Sequence, residues 1–242
     1  MEYRPRWHFS PKVGWINDPN GLLYADGVWH VFAQYAPDAV KASPKHWLHA
    51  TSRDLLTFTE HGVAIPPDGK LGEAFSGSAV LAPGFAGMDN PMVLMFTHHG
   101  QSEQQSLYVA GDHRAFVPFH GNPVIQNTAL RDFRDPKVLR NGALGGWTAV
   151  IAAGDHVAFY HSRDLIRWEK TGEFGGHPAL WGVYECPDVF ALPGPDGKPL
   201  WALVASMSRP AEQGGSVTQY VLGEFDGKTF RETVATGVPR ID

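Results

Sequence analysis

The stretch Ser52-Arg53-Asp54-Leu55-Leu56-Thr57-Phe58 returns later in the chain as Ser162-Arg163-Asp164-Leu165-Ile166-Arg167-Trp168. Weaker copies of the same spacing between an aspartate and an aromatic residue follow Gly111-Asp112 and Phe225-Asp226-Gly227. Successive copies are about 50 to 60 residues apart, a period typical of β-propeller blades. The repeat therefore predicts a fold in which similar sheets follow one another along the chain.

Short apolar runs divide the first period into four predicted strands. They lie at 22–24, 28–35, 47–51 and around Phe58, and Asp26-Gly27 is predicted to form a hairpin turn. Four such strands make one propeller blade. We therefore predict an all-β protein with β-propeller architecture, while a two-sheet sandwich stays open because its strands are also evenly spaced.

The composition agrees with many short strands. The 242 residues include 27 Gly and 19 Pro, which favour tight turns, and 43% hydrophobic residues, enough for the core of one large domain. We predict one domain over residues 1–242, with about four blades at 1–65, 66–125, 126–175 and 176–242.

Charge and hydropathy exclude several classes of partner. The net charge of −5 includes no basic block that could follow a phosphate backbone, so we expect no nucleic acid partner. No apolar stretch predicts a membrane span or a signal-peptide core, so we also expect no membrane partner. The single cysteine, Cys186, allows no intrachain disulfide. We expect a cytoplasmic protein, and a secreted protein without its leader stays open.

Three carboxylates share one local pattern. Asp18 and Asp135 directly precede a proline, and Glu185 is separated from its proline by Cys186. Since proline biases the preceding residue toward extended backbone, we expect these segments to aim their side chains from the top of inner strands. Glycoside hydrolysis needs one carboxylic acid and a second carboxylate on the other side of the sugar. The pattern therefore predicts one shared site, although ordinary turn chemistry explains each aspartate taken singly.

Five longer motifs stand out in the sequence: Trp15–Gly21 (WINDPNG), His46–Ser52 (HWLHATS), Phe75–Ser78 (FSGS), Phe133–Val138 (FRDPKV) and Glu185-Cys186. With these motifs the chain resembles glycoside hydrolase family 32, the β-fructosidases. The segment Gly214–Tyr220 is similar to the levanase and exo-inulinase branch. The resemblance implies a five-bladed propeller and removal of terminal β-D-fructofuranosyl units from sucrose, inulin or levan.

The resemblance also implies a role for each carboxylate. Asp18 becomes the nucleophile, Glu185 the general acid and then the base, and Asp135 the group that binds two ring hydroxyls. Such a pair works with retention of configuration through a fructosyl-enzyme intermediate.

Further positions are implied to contact the substrate. Cys186 is expected to tune Glu185, with a small buried residue as the competing interpretation. Arg134 is expected to bind a hydroxyl or hold a carboxylate. The implied lining of the fructosyl pocket is Asn17, Gln34, Trp47, Phe75 and Ser76, with Trp15 as an apolar wall. For the two tryptophans, a place in the core is the competing interpretation.

We expect neither a metal nor another cofactor. The chain has 12 histidines, and the adjacent pair His98-His99 has no zinc-type spacing beside it. The carboxylate chemistry needs no metal ion. The resemblance implies a fructoside as the partner, either a small molecule or a polymer.

The chain departs from the family pattern in extent and at two positions. Family members have five blades and usually a C-terminal β-sandwich, whereas this sequence shows about four periods, so we expect a shortened propeller without the sandwich. Exposed strand edges would then favour a homo-oligomer. Leu48 replaces the family's usual Gly, and Ala33 stands where Tyr is common.

Two other functions stay open. An inverting furanosidase similar to family 43 would place its carboxylates farther apart to admit a water. A non-catalytic fructan-binding fragment would keep the pocket without turnover.

Overall fold

The computed structural model describes residues 5, 7–38, 40, 44–127, 129–175, 182–194, 197–208, 216–234 and 240–241. These residues form β-strands and one short 3-10 turn, Phe85–Gly87. The chain divides into two compact units, Met1–Pro123 and Val124–Asp242. Gly214 and Gly215 of the levanase-like segment lie outside the described residues.

Unit 1 contains two four-stranded antiparallel sheets in sequential order. The first sheet has strands β1 (Trp15–Ala25), β2 (Val28–Ala36), β3 (His46–Ser52) and β4 (Phe58–Ile65). The second has strands β5 (Glu73–Leu81), β6 (Met92–His99), β7 (Glu103–Ala110) and β8 (Val117–Pro118). The hairpin predicted at Asp26-Gly27 is confirmed, since both residues have positive φ, 52° and 76°, as the tight β1–β2 turn requires.

Unit 2 repeats the same sheet plan. Its first sheet has strands β9 (Phe133–Arg140), β10 (Trp147–Ala153), β11 (His156–Ser162) and β12 (Glu169–Gly175). The second has β13 (Val183–Pro193), β14 (Pro199–Ser208), β15 (Val217–Phe225) and β16 (Phe230–Val234), and β17 (Arg240–Ile241) also pairs with β15.

Each unit has its own apolar core, to which both of its sheets contribute. Phe32, Trp47 and Phe96 are fully buried in unit 1. Phe159 and Met207 are fully buried in the core of unit 2. Burial of such large side chains supplies the main favourable free energy of folding, and truncating one to alanine costs about 3–5 kcal/mol.

The sequence repeat marks a turn before the last strand of each sheet. In every copy the aspartate Oδ1 accepts hydrogen bonds from the backbone N–H groups two and three residues later, at 2.7–2.9 Å; the four aspartates are Asp54, Asp112, Asp164 and Asp226. The residue after each aspartate has positive φ, and these residues are Leu55, His113, Leu165 and Gly227. The repeat is therefore a structural device that turns the chain into the outer strand.

Candidate active site

Most of the predicted site residues lie in or next to a bulge in the first strand of a sheet. In each bulge two residues oppose one residue of the next strand. The bulges that carry these residues are Asn17-Asp18 opposite Gln34, Phe75-Ser76 opposite Thr97, Asp135-Pro136 opposite Ile151, and Cys186-Pro187 opposite Ala205. A bulge re-aims side chains that regular pleating would send to alternate faces. The four sheets thus use one backbone device to present the residues that the motifs singled out.

The backbone at two of these bulges corrects a prediction. Extended geometry was expected before each proline, but Asp135 has φ 62° and Cys186 has φ 47°. The bulge imposes this left-handed backbone, which outweighs the local bias of proline toward extended conformations. Because non-glycine residues adopt this region only at a cost, the surrounding sheet must hold them there.

In unit 1, Asp18 is held by a closed set of polar side chains. Asn17 Nδ2 donates to its Oδ1 at 2.8 Å and Ser76 Oγ donates to its Oδ2 at 2.7 Å. Gln34 completes the set, because its Nε2 donates to Ser76 Oγ at 2.8 Å and its Oε1 accepts from Asn17 at 3.3 Å. The structure therefore brings together four residues that the sequence predicted for one site.

A second layer supports this group. Asn20 is buried, and its Nδ2 donates to the backbone oxygen of Asp18 at 3.1 Å. Its Oδ1 accepts from the backbone N–H of Gly77 at 3.1 Å. Asn20 therefore links the β1 bulge to the β5 bulge and fixes Asp18 relative to Ser76.

The structure corrects the predicted role of Trp47. Its side chain is fully buried beside Phe32 and Phe96, so it offers no surface to a sugar. Its Nε1 instead donates to the backbone oxygen of Phe75 at 2.8 Å. The core interpretation is therefore right, and the indole N–H of Trp47 supports the β5 bulge through its hydrogen bond to Phe75.

The other two aromatic predictions lie nearer the surface. Trp15 is half-buried at the first position of β1. The half-buried Phe75 ring stacks on His99 with centroids 4.0 Å apart, and Lys45 Nζ lies 4.3 Å from its centroid. These contacts hold Phe75 beside Ser76.

In unit 2, Asp135 is buried against the bulge that carries Cys186. Its Oδ2 accepts from the backbone N–H of Cys186 at 2.9 Å, and the cysteine Sγ lies 3.6 Å from the same oxygen. Cys186 itself is exposed. The left-handed turn at Cys186 thus orients the Asp135 carboxylate.

Glu185 lies directly before that bulge and is contacted on both carboxyl oxygens. Arg134 Nη2 donates to Oε1 at 3.0 Å, and Ser208 Oγ donates to Oε2. Arg134 Nη1 also donates to Asp132 Oδ1 at 2.6 Å. Of the two roles expected for Arg134, the geometry shows the one in which it holds a carboxylate.

Ser208 and Asp132 were missed by the sequence analysis. Ser208 ends β14 and pairs across the ladder with Val183, and no motif marks it. Asp132 lies just outside the FRDPKV segment that drew attention to Arg134. The contact of Ser208 depends on the β13–β14 strand pairing, which the sequence did not supply. The contact of Asp132 with Arg134 is local, because the two residues are only two positions apart.

No group of three or more His, Cys, Asp or Glu side chains is placed to hold a metal ion in the part of the chain that the structure describes. Within the same residues, no helix has the length and apolar character needed to cross a membrane.

These features define a β-propeller protein whose first strands present carboxylates, amides and hydroxyls at bulges. The chain belongs to glycoside hydrolase family 32, because residues 8–242 match the model described as the glycosyl hydrolases family 32 N-terminal domain. The predicted all-β fold class and the resemblance to this family are therefore confirmed.

Curated relatives agree with the family. The chain is 42% identical over 241 residues to a levanase of Bacillus subtilis, which covers 95% of this chain and 35% of the levanase. It is 38% identical to an invertase of Schizosaccharomyces pombe, covering 94% of this chain and 42% of the invertase. The chain thus spans less than half the length of these relatives.

Solved structures agree as well. The β-fructofuranosidase of Schwanniomyces occidentalis, in complex with fructosyl-erythritol, has a TM-score of 0.90 at 31% identity, covering 99% of this chain and 49% of that one. An exo-inulinase of Aspergillus awamori has a TM-score of 0.87 at 33% identity, covering 98% of this chain and 53% of that one.

Proposed function

We propose that the protein is a retaining β-fructofuranosidase that removes terminal β-D-fructofuranosyl units from sucrose, inulin or levan. One observation carries the proposal: Asp18 and Asp135 occupy bulges of two first strands, and Glu185 directly precedes the bulge of a third. The names of the relatives support the substrate class, since they include a levanase, an invertase and an exo-inulinase.

In the first step, Asp18 attacks the anomeric carbon while Glu185 protonates the departing glycosidic oxygen. The bond between the anomeric carbon and this oxygen breaks, and its electron pair stays on the oxygen. The hydrogen bonds from Asn17 and Ser76 fix both oxygens of Asp18, so the carboxylate needs little reorientation before attack.

In the second step, Glu185 takes a proton from water, and the resulting hydroxide attacks the anomeric carbon of the fructosyl ester. The ester bond to Asp18 breaks and fructose leaves with its original configuration after two inversions. Asp135, oriented by the Cys186 N–H, binds two ring hydroxyls and steadies the ring through both steps. The buried amide of Gln34 and the Ser76 hydroxyl suit a neutral polyol.

The test is turnover of sucrose, inulin and levan, with released fructose as the measured product. Asp18→Asn should abolish turnover, whereas Asp89→Asn, at an exposed carboxylate of the same unit, should leave it unchanged. Surviving turnover in Asp18→Asn would remove the nucleophile from the proposal. Sugar binding without any turnover would favour the non-catalytic alternative.

Stereochemistry tests the mechanism separately. Rapid NMR of the first product formed should show β-fructofuranose before mutarotation, because double displacement retains configuration. The α-anomer would indicate an inverting reaction.

Self-association of the protein stays a prediction, which size-exclusion chromatography with light scattering checks.

A further inference from the structure

The two carboxyl oxygens of Glu185 face groups of different hydrogen-bonding character. Oε1 accepts from the guanidinium of Arg134 at 3.0 Å, and Oε2 accepts from the hydroxyl of Ser208. A guanidinium has five N–H donors and no acceptor, whereas a serine hydroxyl both donates and accepts. A proton on Oε1 would therefore point at donors, while a proton on Oε2 finds an acceptor.

We propose that Ser208 is a positioning residue that keeps the transferable proton of Glu185 on Oε2, while the Asp132–Arg134 pair holds Oε1. The inference rests on the proposed role of Glu185 as general acid and base. It adds two residues to the site and assigns the proton to one atom.

Both proton transfers of the proposed reaction cycle then use the same atom, Oε2 of Glu185. In the resting state, the Oε2–H group of Glu185 donates to Ser208 Oγ. When the glycosidic bond breaks, that proton moves to the leaving oxygen and Glu185 becomes a carboxylate, to which Ser208 now donates. In the second step Oε2 takes a proton from water, and Ser208 accepts again. The hydroxyl suits both protonation states because it needs only to rotate.

Asp132 has a separate effect, which acts through Arg134. The Arg134 side chain is 12% exposed, and its Nη1 lies 2.6 Å from Asp132 Oδ1. The negative charge of Asp132 offsets the guanidinium charge that favours an ionised Glu185. The other charged or titratable groups on β9 and β13 are Asp135, Lys137, Arg140, Tyr184, Cys186 and Asp188, and Lys137 pairs with Asp188 at 2.7 Å.

Leaving-group dependence separates positioning of a proton from general damage. Ser208→Ala should lower kcat for sucrose about 10- to 100-fold, because sucrose needs protonation of its leaving oxygen. An aryl β-fructofuranoside with a good leaving group needs little protonation and should lose far less. Ser208→Thr keeps a hydroxyl and should restore most of the sucrose activity.

The pH profile tests Asp132. Asp132→Asn should move the alkaline limb of kcat/KM to lower pH, because Arg134 then acts on Glu185 without its counter-charge. Glu224→Gln is the matched control, since it removes a carboxylate from the exposed Arg231–Glu224 pair of the same unit. This control should leave the limb in place.

Two outcomes would overturn the inference: equal losses on both substrates in Ser208→Ala, or an unmoved alkaline limb in Asp132→Asn. A 13C titration of side-chain carboxyls, assigned with Glu185→Gln, gives a readout without turnover, and Asp132→Asn should shift the Glu185 midpoint downward. The proposed function fails separately, if Glu185→Gln still hydrolyses sucrose at the wild-type rate.

Discussion

The backbone N–H of Cys186 donates to Asp135 Oδ2 at 2.9 Å, and the thiol of the same residue lies 3.6 Å from that oxygen. The two residues belong to bulges of different first strands, β9 and β13, and both have positive φ. The N–H contact is a full hydrogen bond, whereas the thiol is a weak donor. The backbone of Cys186 therefore contributes more to the orientation of the Asp135 carboxylate than its sulfur does.

This difference gives a prediction about Cys186. Cys186→Ala keeps the N–H and should retain activity within about threefold, because only the weak thiol contact is lost. Iodoacetamide should inactivate the wild-type protein far more, since the thiol is exposed and the added group would crowd Asp135. Fructose release before and after treatment measures both effects.

Cys186→Ala is also the control for the reagent. Cys186 is the single cysteine of the chain, so the variant should be insensitive to iodoacetamide. Inactivation of the variant, or full activity of the alkylated wild-type protein, would contradict the placement of this thiol beside Asp135.

Ser76 provides a second prediction, because it joins Gln34 to Asp18. Ser76→Ala removes a donor to Asp18 Oδ2 and leaves the buried Gln34 Nε2 without this acceptor. We expect kcat/KM for sucrose to fall about 10- to 100-fold and the free energy of unfolding to fall by about 1–3 kcal/mol.

Steady-state kinetics and urea unfolding measure these two effects separately. Ser76→Thr retains the hydroxyl and should recover part of both losses. Wild-type kinetics in Ser76→Ala would show that Asp18 does not need this hydrogen bond.

The sequence predicted the sheets better than the reason for their repeat. Asp54 and Asp164 revealed the repeat period. Their carboxylates, however, bind the backbone of turns that precede the last strand of a sheet, whereas the site residues lie mainly on the first strands. Local hydrogen bonding of this kind is visible in sequence because it spans only a few residues.

The bulges were not predictable in the same way. A bulge is defined by which residue opposes it, so Asn17-Asp18 opposite Gln34 requires the β1–β2 register to be known. The same holds for Ser208, which reaches Glu185 through the β13–β14 pairing. The prediction for Trp47 was wrong for a related reason, because a sequence motif does not show whether a side chain is buried.

Buried histidines of unit 1 predict a loss of stability in acid. Burial lowers the pKa of His49 to about 3 and that of His98 to about 4, from an ordinary value of 6.5. As the pH falls below about 6.5, these two histidines therefore become protonated in the unfolded chain but stay neutral in the folded protein. Stability is full above that pH and falls as pH drops from about 6.5 toward 4 and 3.

Urea unfolding between pH 7 and pH 4 checks this prediction, and we expect a loss of about 2–4 kcal/mol from each histidine. His98→Asn should flatten the dependence, because an amide can still bond to Ser106 Oγ but does not titrate. The exposed His120→Asn variant is the matched control and should keep the wild-type slope. Equal slopes in the two variants would contradict the assignment.

The repeat turn gives a last prediction, on stability rather than catalysis. Asp164 Oδ1 accepts from the backbone N–H groups of Ile166 and Arg167 at 2.9 and 2.8 Å, and these bonds hold Leu165 at φ 64°. Asp164→Ala should lower the free energy of unfolding by about 1–2 kcal/mol and leave kcat/KM unchanged. Asp164→Asn keeps one acceptor oxygen and should cost less. Asp155→Ala, at a side chain that is 87% exposed, is the control, and an equal loss there would show that the turn contributes nothing specific.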